Sequence, residues 1–154
     1  MTAAHCVHNV EAKNLAIIAG ISRIKPDIYT ENNVYKVKEV LIHPLLNRSS
    51  LREGYDIALL RLDRDVILSD SLNFICLPSS IDDFEAVFNK EAVVLGWGST
   101  DGAPSAASLA TELQQTHLTI LNDDESSVCF EYNYNSDNLY CVLDRNSTRG
   151  SNIW

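Results

Sequence analysis

Apolar residues in this chain come in short runs. Residues 15–19, 34–42, 57–62, 92–95 and 113–121 each have the length of a strand, and most are bounded by Gly, Pro, Asn or Asp. A helix that buries one face repeats its apolar positions every three to four residues over several turns, and no such period is sustained here. Two helical turns are expected: the first residues, with Thr2 as N-cap, and residues 123–130, with Asp and Glu in the first turn. Residues 78–91, opening on Pro78-Ser79-Ser80, read as a connector between two groups of strands. A Ser-, Gly- and Ala-rich loop covers 98–108. The chain is therefore expected to be all-β.

At 154 residues, with 45% hydrophobic and 21% charged positions, it has the composition of a globular protein. The net charge of -9 is scattered along the chain and argues against nucleic acid as a partner, because phosphate binding needs a concentrated positive field. No apolar stretch approaches the roughly 18 residues of a membrane span, so no membrane partner is expected. The N-terminus lacks a basic region followed by a long apolar one, and no signal peptide is legible. The cysteines at 6, 76, 129 and 141 form no C-x-x-C pair, which weakens a zinc or redox reading. Asn47-Arg48-Ser49 and Asn146-Ser147-Thr148 are N-glycosylation sequons.

Two residues attract chemical interest. Asp56 immediately precedes Ile57-Ala58-Leu59-Leu60, a run expected to be a buried strand, and a carboxylate there is costly unless something donates to it. Either it is a turn residue in water after Gly54-Tyr55, or it orients an imidazole. In the second case it would fix the tautomer and leave the other ring nitrogen as a general base. His5 is the candidate imidazole; His8, His43 and His117 have nothing in their setting to single them out. Spacing alone does not choose between the two readings.

Motifs do. Thr2-Ala3-Ala4-His5-Cys6 resembles the histidine motif of the trypsin/chymotrypsin-like serine peptidases, and Asp56-Ile57-Ala58-Leu59-Leu60-Arg61-Leu62 resembles their aspartate motif. Ile42-His43-Pro44, Ile75-Cys76-Leu77-Pro78, Gly96-Trp97-Gly98 and Leu113-Gln114-Gln115 are similar to further segments of that family, in the same order. The resemblance implies a double six-stranded antiparallel β-barrel. Residues 1–77 would be the remainder of the first barrel, 78–91 the connector and 92–154 the start of the second. It also implies that His5 is the general base and acid, that Asp56 orients it, and that Cys129 and Cys141 close a loop by a disulfide. Protein or peptide substrates and an extracellular location follow from the same likeness; no cofactor is expected, and the acidic residues between Asn14 and Glu39 match no calcium-loop pattern.

The chain departs from the family at the nucleophile. No Gly-Asp-Ser-Gly-Gly motif and no G-x-S-x-G elbow occurs in the sequence, and Ser151 is followed by Asn152-Ile153-Trp154. The chain also begins at the histidine motif, so both barrels are expected to be incomplete. In the family Cys6 pairs with an upstream cysteine and Cys76 with a preceding segment. The expectation is a serine endopeptidase domain without its serine and oxyanion hole, inactive by itself. The alternative is a peptidase-like binding or regulatory module. A metal site at His5, Cys6 and His8 lacks a completing ligand and is discounted.

Overall fold

The computed structural model describes residues 1–79, 86–99, 109–122, 129 and 133–144, together with the backbone of 152–153. The chain divides into two compact units, one comprising Met1–Leu51 and Tyr55–Ile75, the other Arg52–Gly54 and Cys76–Trp154. The connector, the 98–108 loop and the 123–130 turn lie partly or almost wholly outside the described residues.

The first unit is an antiparallel sheet in the order β1-β2-β3, formed by Ala16–Ile18, Val34–Ile42 and Ala58–Leu62. These strands fall within the short apolar runs, as period-two burial on a pleated surface requires. Tyr35 and Val37 of β2 turn inward, and the register shifts by a bulge between Val37 and Glu39. Beyond the bulge Glu39 faces Arg61, and their side chains pair at 2.9 Å. Arg64 donates to the carbonyls of Glu31 and Val34 and lies over the Tyr35 ring, 4.6 Å from its centroid. One guanidinium thus holds the chain at the entry to β2.

Helix α1, Ala4–Val7, packs on this sheet: Ala4, Val7 and Ala58 form a buried cluster with Leu15, Val40, Leu46 and Leu60 against it. Small residues at 4 and 58 let the two backbones approach closely. The run at 57–60 is buried on one face only, since Ile57 and Leu59 are exposed. Thr2 is not the N-cap. Its N–H and C=O both pair with Ala58, at 2.9 and 2.8 Å, which holds it extended; Ala3 takes the cap position with no side-chain bond.

The second unit is an antiparallel sheet in the order β4-β5-β6-β7, formed by Glu91–Gly96, Gln114–Ile120, Cys141–Leu143 and Asn152–Ile153. Its core gathers Leu121, Cys129 and Cys141, with Tyr134 and Leu143 packed against them. Cys129 and Cys141 are joined by a disulfide. Residues 52–54 are tied in by the Asn135 N–H on the Arg52 carbonyl, at 2.8 Å, and the Asn138 amide on the Glu53 carbonyl, at 3.0 Å.

Helix is confined, among the described residues, to short turns, and no helix is long and apolar enough to cross a membrane. Two antiparallel sheets of three and four strands are what an incomplete double β-barrel requires.

Candidate active site

His5 sits in α1 because Ala4 and Val7, on either side of it, are the residues drawn into the core. That leaves its imidazole exposed on the far side of the turn. Asp56 is placed by the strand that follows. Ala58 is pinned by Thr2 and by the β2 ladder, and the Ile57 N–H returns to the Tyr55 carbonyl at 2.8 Å, closing a tight turn around Asp56. Before it, Gly54 and Tyr55 have φ of 80° and 60°. Two successive left-handed residues reverse the chain sharply, and the second is not a glycine, so the backbone here is held against its preference. Tyr55 is secured by stacking on His43, with ring centroids 5.0 Å apart.

Residues 5 and 56 meet twice. The His5 backbone N–H donates to Asp56 Oδ1 at 2.8 Å, and the ring Nδ1 lies 2.5 Å from Oδ2. An ionised carboxylate only accepts, so Nδ1 carries the hydrogen and Nε2 presents its lone pair. The backbone bond also satisfies one of the first N–H groups of α1, which the Ala3 side chain cannot reach. The carboxylate therefore caps the turn and fixes both position and tautomer of the ring. Burial pushes the Asp56 carboxyl up. The His5 ring bond, the His5 backbone bond, the positive charge of the His5 ring when protonated and the Ala4 N–H outweigh it and hold the carboxyl below the ordinary aspartate range.

The other ring nitrogen faces a thiol. Cys6 Sγ lies 3.3 Å from His5 Nε2, and both Cys6 and Cys76 are free. His8 Nδ1 donates to the His5 carbonyl at 3.0 Å, while its Nε2 is buried without a hydrogen-bond partner. Among the described residues no group of three His, Cys, Asp or Glu side chains is arranged to hold a metal ion. A cavity of about 540 Å³ opens beside His5, lined by His5, His8, Leu46, Arg48, Ser49 and Leu51.

Of the residues singled out in the sequence, His5 and Asp56 come together, and Cys129 and Cys141 lie elsewhere, in the second unit. His43 and His117 have structural partners: Tyr55 for the first and, at 2.8 Å, Glu91 for the second. His8, Arg48 and Ser49 gave no signal as cavity residues, because a turn at 43–51 and a helix at 4–7 share no motif and meet only in space. The sequon at 47–49 was legible, and it marks this turn: the Ser49 N–H donates to the Asn47 side chain at 3.0 Å.

A family model described as Trypsin matches residues 1–152. The chain is 35% identical over 118 residues to chymotrypsin-like elastase family member 1 of Homo sapiens, covering 77% of this chain and 43% of that protein. It is 29% identical over 143 residues to coagulation factor XI of Bos taurus, covering 92% of this chain and 22% of that one. A solved structure described as "Structure of GrC" superposes with a TM-score of 0.69 at 26% identity, over 93% of this chain and 58% of the other. The chain thus spans less than half the length of these two curated relatives.

Proposed function

Since the chain belongs to the trypsin family, we propose that it carries the base and orienting elements of a serine endopeptidase, with His5 as general base and acid and Asp56 as its partner. The observation that supports this reading is the doubled contact between the two residues, 2.5 Å at the ring and 2.8 Å at the backbone. A ring fixed in this way has one free basic nitrogen. His5 Nε2 takes the proton of a serine hydroxyl as its oxygen attacks the scissile carbonyl. The imidazolium so formed is stabilised by the Asp56 carboxylate, which stays ionised because its proton affinity is depressed. His5 then returns the proton to the leaving amine. For this work the Cys6 thiol, 3.3 Å from Nε2, must give way to the serine hydroxyl.

The 154 residues contain no Gly-Asp-Ser-Gly-Gly motif, so by themselves they supply neither nucleophile nor its oxyanion hole. Substrates are peptide bonds of proteins, and the disulfide is in keeping with an extracellular location. The missing motif also favours a second reading, a peptidase-like module that binds peptides without cleaving them.

The test is turnover of a fluorogenic peptide pool by the purified chain. No hydrolysis above the buffer rate is expected. Hydrolysis that vanishes in His5→Ala would overturn the inactivity. Proton NMR tests the pair separately: the Nδ1–H of His5 should resonate far downfield and disappear in Asp56→Asn. A ring with no such proton would overturn the assignment of roles.

A further inference from the structure

We propose that the cavity beside His5 selects an acidic side chain of the peptide, with Arg48 as its specificity-determining residue. This rests on the reading of His5 as the base of a peptide-cleaving or peptide-binding site.

The lining is unusual for this chain. The protein as a whole carries a net charge of -9, yet among the described residues no carboxylate lines the cavity. Its charged and titratable lining groups are Arg48, His5 and His8. Asp56, the acid that touches His5, is committed to the His5 ring and backbone N–H. Arg48 is exposed, and among the described residues no ion pair is formed by it. A guanidinium is permanently charged and presents a planar fork of donors suited to a carboxylate.

The remaining lining supports a peptide rather than a free anion. Leu46 and Leu51 offer apolar surface for the methylene stem of a glutamate, and Ser49 adds a hydroxyl. His8 Nδ1 is used as a donor to the His5 carbonyl, so the neutral ring leaves Nε2 as a buried acceptor with nothing to accept. At about 540 Å³ the cavity is within the range of small-ligand sites and holds a side chain with part of its backbone. Because His5 is itself a wall, an acid seated here lies close to the bond that the imidazole serves.

The experiment is an NMR titration of the 154-residue chain, following the His5 and His8 ring signals. The probes are a capped pentapeptide carrying one central glutamate, its glutamine twin and its lysine twin. The glutamate peptide should shift both rings and bind about tenfold more tightly than the glutamine peptide, as expected for a charge-assisted bond. Added salt should narrow the gap. Arg48→Ala should abolish the preference, and Arg48→Glu should transfer it to the lysine peptide. Arg48 lies outside the core, and an unchanged amide spectrum of each variant verifies its fold. Equal binding of all three peptides, or a glutamate preference that survives Arg48→Glu, overturns the proposal and leaves the His5 reading intact. No shift of His5 by any peptide overturns the proposal, while the His5 reading stands or falls on its Nδ1–H signal.

Discussion

One carboxylate, that of Asp56, holds both the backbone N–H and the ring of His5. Its folded-state proton affinity lies below that of a free aspartate, so its bonds contribute fully above the unfolded value, about pH 4. That contribution fades as pH falls through the lower folded value. Asp56→Asn should therefore cost about 1–3 kcal/mol at neutral pH and flatten the decline of stability below about pH 4. Urea unfolding between pH 3 and 7 checks both; a variant that keeps the parent slope would refute the assignment. Gly54 is a second case. Its φ is 80°, and a Cβ there would lie 2.4 Å from the Asn138 Cβ. Gly54→Ala should lose more than about 1 kcal/mol, from backbone and clash together, read as a lowered urea midpoint with unchanged slope.

At the scale of elements, the two sheets are secured differently. In the first unit, α1 caps the sheet through Ala4, Val7 and Ala58, and the polar clasps are Arg64 on the β2 entry and Arg61 on Glu39. In the second, the buried centre is a covalent bond, with Cys129 and Cys141 almost fully enclosed beside Leu121. Closing a loop with a sequence separation of 12 should contribute about 3 kcal/mol through the unfolded chain. Replacing both cysteines by alanine should lower stability by about that amount, and hydrogen exchange should quicken most at 139–143. Coincident unfolding curves for the parent and the double variant would show the bond to be neutral.

For the molecule as a whole, surface chemistry governs behaviour in solution. Ile67, Phe74, Ile75 and Leu77 are each more than 60% exposed, and Val93 and Leu95 leave an apolar stripe on the outer face of β4. Both sheets end in unpaired edges among the described residues. A charge of -9 keeps copies apart at neutral pH, and that repulsion disappears near the sequence pI of about 4.7. The chain should bind an apolar dye at pH 7 and become turbid most readily near pH 4.7. A monomer that stays clear through that pH would mean these surfaces do not associate.

Much of this was determined by sequence alone. Strand positions follow from the lengths of apolar runs and their Gly, Pro, Asn and Asp borders, because period-two burial and turn chemistry are local properties. The family followed from ordered motifs, and those motifs named His5 and Asp56 as candidates. The sequence did not show that Asp56 would hold both the ring and the backbone N–H of His5, fifty-one residues away. Nor did it show that Thr2 would be drawn into pairing with Ala58 instead of capping α1, or that His8 and Arg48 would share a cavity wall. These belong to tertiary structure for one physical reason. Each depends on two distant segments being brought within bonding distance by a packed core, and local propensity carries no information about which segments those are.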